Sequence, residues 1–180
     1  MTHHVALLRA VNVGKRKVPM ADLRALCAEL GFEDARTYVA SGNVVFTAKE
    51  PAGQVEERLE AALEKRFGFK VEVVVRASRR IAAALEHNPF AQASESEPAR
   101  VMLLFAKRPP AKDAAEKIME RARGGEKVVA VGETLWFHFP DGLADSKLAP
   151  AFIDKCVGSP ATSRNIRTVR TLAQMAQGLS

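Results

Sequence analysis

VALLRAVNVGKRKVPMADLRALCAELG, residues 5–31, decides the fold. Residues 5–11 are short, apolar and rich in Val and Leu, which predicts a buried strand. Residues 12–18 form a loop with one Gly and three consecutive basic residues. Pro19 suits the first turn of a helix, where a missing N–H costs nothing. Met20, Leu23, Cys27 and Leu30 then recur at helical spacing, and Gly31 stops the helix. Moving outward, TYVASGNVVFTA at residues 37–48 predicts strands over 37–40 and 44–48, joined by a Ser41-Gly42-Asn43 turn. Pro51 opens a second helix with Val55, Leu59, Leu63 and Phe67 inward, stopped by Gly68. Residues 71–76 predict a further strand. The order is β-α-β-β-α-β.

Beyond a short helix over 78–85, capped by Ser78 and ended by Asn88-Pro89, the pattern begins again. Residues 101–106 (VMLLFA) predict a buried strand and residues 111–121 a helix. Residues 128–131 and 135–139 form a hairpin about Gly132. A helix over 147–157, a short strand over 161–163 and a last helix over 165–177 complete the second half. VALL and VMLL lie 96 positions apart, and Gly42 and Gly132 lie 90 apart. This predicts a structural duplication. The expected fold is α+β: two tandem ferredoxin-like plait subdomains, each with helices on one sheet face, plus an extra C-terminal helix. The expected boundaries are 1–87, a polar linker over 88–99, and 100–180. The alternative is one continuous mixed sheet.

The chain carries 27 Lys+Arg against 21 Asp+Glu, a net of +6, unevenly placed. Residues 1–98 hold 14 basic and 13 acidic side chains, and residues 99–180 hold 13 and 8. Residues 9–17 carry Arg9, Lys15, Arg16 and Lys17 without an acid, and from Lys155 onward there is again no acid. Clustered positive charge favours anionic partners. In a β-α-β-β-α-β plait the loop after the first strand and the turn between the second and third lie at the same sheet end. Residues 9–17 and 41–43 therefore become neighbours. Together they offer guanidinium, ammonium, hydroxyl, amide and backbone N–H groups, the chemistry that holds an anion without a metal. The positive end of the helix near Pro19 points at the same region. Arg9, inside an apolar strand pattern, wants a partner: a ligand, or an acid such as Asp22 or Asp34.

ALLRAVNVGKRKVPMADLRALCAELGFEDARTYVASGNVVF closely resembles the opening of the bacterial domain of unknown function 1697 family. The likeness continues through Asn88-Pro89-Phe90, Phe139-Pro140-Asp141-Gly142, Ser146-Lys147-Leu148 and Thr162-Ser163-Arg164-Asn165. It implies paired α/β-plait subdomains and assigns no activity. Ala10 stands where the family has Gly, its Gly-Gly pair is shortened to Gly14, and Ile166 stands where an aromatic is frequent. The ligand-binding candidates are Arg9, Asn12, Gly14, Lys15, Lys17, Ser41, Gly42, Asn43, Ser163, Arg164 and Asn165.

Other chemistry is missing from the sequence. There is no phosphate-loop or dinucleotide fingerprint and no Cys/His cluster with zinc spacing. Cys27 and Cys156 read as core thiols. His3, His4, His87 and His138 read as structural, and Asp141 and Asp145 as turn and cap residues. No cofactor or metal is expected. The central strands of the first half offer only Phe46 for base stacking, so sequence-specific RNA binding of that kind is not expected. The longest apolar run, residues 101–106, is far below the roughly 18 residues of a membrane span. A cytoplasmic location without membrane association is expected. The candidate partners are nucleic acid or a phosphorylated small molecule. An enzyme acting on a small anionic metabolite and a protein-interaction module are the alternatives; the oligomeric state is open.

Overall fold

The computed structural model describes residues 1–144 and 146–179; Asp145, read above as a cap residue, lies outside the described residues. The chain divides into two compact units: Met1–Ala82 together with the chain from Thr171 on, and Ala83–Arg170. Two four-stranded antiparallel sheets replace the alternative of one continuous mixed sheet.

In the first unit, β1 (Thr2–Leu8), α1 (Met20–Glu29), β2 (Glu33–Thr37), β3 (Asn43–Ala48), α2 (Ala52–Phe67) and β4 (Val73–Ala77) follow in chain order, and the strands lie in the order β2-β3-β1-β4. Register pairs His4 with Phe46 and Val5 with both Val45 and Arg76. Ala6, Leu8, Val44, Phe46, Val73 and Val75 form a core with Leu23, Leu26 and Cys27 of α1 and Val55, Leu59 and Leu63 of α2. Val5, Leu7, Val45 and Val74 are equally buried. Both sheet faces are therefore covered, whereas a single covered face was expected; this is why these strands read as continuous apolar runs rather than alternating ones.

One edge is polar by comparison. β2 (EDART) exposes Glu33 and Arg36, half-buries the rest and shifts register between Glu33 and Arg36, with Asp34 at φ +52°. At the opposite edge, the Val73 and Val75 amides donate to the carboxylates of Glu60 and Glu56 on α2, at 2.8 and 2.9 Å. α2 ends on Gly68 at φ +77°, a left-handed cap that its sequence announces.

After α3 (Ser78–Glu86), α4 (Ala91–Ser96) and a 3-10 turn at Pro98–Arg100, the second unit repeats the scheme. Its elements are β5 (Val101–Ala106), α5 (Ala114–Arg121), β6 (Lys127–Val131), β7 (Thr134–His138), α6 (Pro150–Val157) and β8 (Ala161–Asn165), with strand order β6-β7-β5-β8. α7 (Ile166–Gln177) closes the chain. Leu104, Ala106, Leu135 and Phe137 pack with Ala114, Ile118, Cys156 and Val157.

Several boundaries differ from expectation. The second strand is Glu33–Thr37, not 37–40: Val39 sits at φ +50°, which no strand tolerates, and residues 38–42 form the turn. β1 ends at Leu8, so Arg9 lies past the strand rather than inside it. α5 and α6 begin at Ala114 and Pro150, three residues later than their apolar spacing suggests. Within 88–99 the chain is partly helical. Asn88 Oδ1 accepts from the Phe90 amide at 2.8 Å and Asn88 Nδ2 donates to Ser94 at 2.9 Å, which organises α4.

Candidate functional site

The β1–α1 loop and the β2–β3 turn meet at one end of the first sheet, as the topology requires. Asn12, at φ +57°, is the staple. Its Nδ2 donates to the Val18 carbonyl at 2.9 Å and, across to the turn, to the Ala40 carbonyl at 2.6 Å. Its Oδ1 accepts from the Val18 amide at 2.9 Å. Gly42 carries the second link. Its carbonyl accepts from the Leu8 amide at 2.8 Å, and a Cβ built there would lie 2.5 Å from Val11 Cγ2 and 2.8 Å from Leu8 Cβ. With φ at +87°, only glycine fits. Asn43 is fully buried, and its Nδ2 donates to the Tyr38 carbonyl and the Ser41 hydroxyl at 2.9 and 3.0 Å.

Arg16 is an anchor too. It donates to the Ala10 and Lys70 carbonyls, both at 2.7 Å, and lies 4.7 Å over the Phe69 ring. That arrangement ties the loop to the β4 side of the unit. Val13 to Arg16 then make a tight turn through Gly14 at φ +54°. Lys15 and Lys17 project from this braced turn and are exposed, while Arg9 is half-buried with its amide on the Glu72 carbonyl at 2.9 Å. α1 starts just beyond, with Pro19 at its N-cap and no side chain bonded to its first amides. The candidate residues of this unit thus come together in two roles. Asn12, Gly42 and Asn43 hold the loop and turn in place. Lys15 and Lys17 carry the exposed charge.

Ser163, Arg164 and Asn165 lie in the second unit, on edge strand β8, opposite Leu104, Leu103 and Met102 of β5. Asn165 Oδ1 accepts from the Thr168 amide at 3.0 Å and caps α7. Arg164 donates to the Thr162 hydroxyl at 2.8 Å and to the Ser163 carbonyl at 2.9 Å, and burial pulls its guanidinium down to about 10. Ser163 lines an apolar cavity of about 270 Å³ with Met102, Phe137 and Leu148.

Phe46 is buried and stacked on Phe32 at 4.7 Å, so it offers no base a platform. Cys27 and Cys156 are free, buried thiols, and burial pushes Cys27 up to about 12. Two histidines are more engaged than their sequence positions suggest. His4 is buried, with Nε2 on the Glu50 carbonyl at 3.1 Å. His138 Nε2 meets Glu97 at 2.6 Å, and Arg100 reaches the other Glu97 oxygen at 3.1 Å. The strand pattern around His138 leaves its facing open, and a partner 41 residues away has no local signal. No group of His, Cys, Asp and Glu suited to a metal ion occurs among the described residues.

No curated protein matches the chain. Among solved structures, the conserved bacterial protein SP0830 from Streptococcus pneumoniae is similar over 98% of this chain and 99% of its own, with 27% identity and a TM-score of 0.76. The family model described as Protein of unknown function (DUF1697) matches residues 1–136, and with the braced loop and turn inside that span the chain belongs to the DUF1697 family.

Proposed function

We propose that this protein binds a phosphate-bearing anion, either a nucleic-acid backbone or a phosphorylated small molecule, through the β1–α1 loop. The observation that carries the reading is the exposure of Lys15 and Lys17 on a turn whose backbone is braced by Asn12 and Arg16. A preset cationic turn loses little ordering entropy when it meets an anion. α1 begins beside it without a side-chain cap, and Asp22 in its first turn offsets part of the favourable partial charge there. Each unit reads as a ferredoxin-like plait, on the support of its β-α-β-β-α-β order and its strand order. With Phe46 buried, nucleic acid would be held by its phosphates and not by stacked bases. A reducing, cytoplasmic setting agrees with two buried free thiols, and no described helix is long and apolar enough to cross a membrane.

The test is binding of a single-stranded oligonucleotide and of nucleoside monophosphates across a salt series. The expected result for the oligonucleotide is a log–log decline in affinity with salt, its slope shallower by about 1.4 in a Lys15→Ala/Lys17→Ala variant. A flat salt response, or a variant that binds as the parent does, overturns the reading.

A further inference from the structure

In the second sheet, β5 pairs Met102 with Phe137 of β7 and Leu104 with Ser163 of β8. Residues opposite each other across a ladder share a face, so these four side chains stand on one side of the sheet. α6 begins only at Pro150, and its first turn stands across from them. Between lies a cavity of about 270 Å³, with Pro150 and Ile153 on the helix side. The Phe137 and Phe139 rings stack along its sheet side, 5.7 Å apart and 5° from parallel. Leu143 stands at the rim, 46% exposed.

The lining states what would fit. No charged side chain lies on it among the described residues. An ion entering would lose its hydration and meet no counter-charge, so the space suits an uncharged molecule. Apolar cavities of about 150 Å³ stay dry and admit one benzene ring. This one has room for a ring with a substituent, and the paired Phe rings favour an aromatic body. Two hydroxyls reach the cavity. That of Ser146 is engaged: it donates to Glu126 at 3.1 Å and accepts from the Leu148 amide at 3.2 Å. That of Ser163 makes no hydrogen bond among the described residues, and Ser163 is only half-buried, so a molecule in the cavity can reach it. A serine hydroxyl both donates and accepts.

We propose that this cavity binds a small uncharged aromatic molecule bearing one hydroxyl, a monocyclic phenol in class. The ring lies against Phe137 and Phe139, between Met102 and Ile153, and its hydroxyl pairs with that of Ser163. This site is in the second unit and is independent of the anion reading for the β1–α1 loop.

The experiment titrates the whole protein with phenol, toluene and benzoate, followed by NMR. Phenol and toluene should bind at millimolar concentration or below and show NOEs to Met102 and Ile153. Benzoate should show none to these residues, whatever it does at the cationic loop. In Ser163→Ala the ratio of phenol to toluene affinity should fall about threefold to tenfold, the worth of one hydrogen bond. Ser163→Leu, checked for folding by circular dichroism, should fill the cavity and lose both ligands. Absence of phenol binding at millimolar ligand, NOEs to other side chains only, or benzoate NOEs to Met102 and Ile153 overturns the proposal. An unchanged affinity ratio in Ser163→Ala, or phenol retained by folded Ser163→Leu, overturns it as well.

Discussion

The two units share one strand order and differ in how they are finished. The third strand of the first sheet leads through three residues into α2, sixteen residues long. The corresponding strand of the second sheet is followed by an irregular stretch and then α6, only eight residues long. α2 sends two carboxylates to the outer strand, Glu56 and Glu60, whereas α6 sends one: Asp154 accepts from the Ala161 amide at 3.2 Å. Beneath the irregular stretch of the second unit sits the apolar cavity between Met102, Phe137 and Leu148. Strand pattern therefore sets the topology, and the length of the following helix sets how closely the sheet is covered.

The sharpest contrast lies in the two hairpin glycines. Gly42 is jammed against Val11 and Leu8, whereas Gly132, at φ +58°, has nothing within 4 Å of a built Cβ. Gly42→Ala should destabilise by about 2–4 kcal/mol, combining a left-handed backbone with overpacking, and Gly132→Ala by about 1 kcal/mol from the backbone alone. Denaturant unfolding of both variants checks this, and equal losses would break the comparison.

The loops after the first strand of each unit are held differently. In the first unit Asn12 makes the bonds from within the loop. In the second, the loop leans on the turn before β8, where the Ser159 hydroxyl accepts from the Arg108 amide at 3.1 Å. Asn12→Ala should cost about 1–3 kcal/mol and Ser159→Ala about 0.5–1.5 kcal/mol. Melting curves in which Ser159→Ala proved the more damaging would reverse that ranking.

The smallest effect concerns acid. Glu97 in the second unit is held below the usual carboxylate range, chiefly by its hydrogen bond with His138 and further by Arg100. Glu29 in the first is held down by Arg66. Each carboxylate prefers its charged form in the folded chain. Its contribution is present above the unfolded value of about 4.3 and is lost as pH falls through the lower folded value. Carboxyl shifts followed by NMR from pH 6 downward should show both titrating late. His138→Gln should move Glu97 upward and leave Glu29 in place; a Glu97 that stays put shows Arg100, not the imidazole, to be its main partner.

Much of this was legible in the residues. The apolar runs at 5–8 and 101–106, the stop glycines at 31, 68 and 158, and the 90-residue offset of Gly42 and Gly132 follow from local chemistry, and the structure repeats them. The meeting of residues 9–17 with the 41–43 turn followed from topology. What escaped were roles set by distant partners. Asn12 and Asn43 read as candidate ligand amides in sequence, and in the structure their Nδ2 groups donate to backbone carbonyls of the loop and turn and, from Asn43, to the Ser41 hydroxyl. Residues 37–40 have strand-forming side chains, but the turn needs Val39 in a left-handed conformation, and the strand falls on the polar EDART segment instead.

The carboxylates of Glu56 and Glu60 have a consequence beyond the stability of one unit. An outer strand with outward amides is a template on which another chain can add itself. On β4 the amides of Val73 and Val75 are already occupied, and on β2 the register shift at Asp34 breaks the ladder. Both margins of the first sheet are thus closed to an incoming strand. The first sheet's defence against edge-to-edge aggregation is written in two glutamates on a helix and a kink in a polar strand.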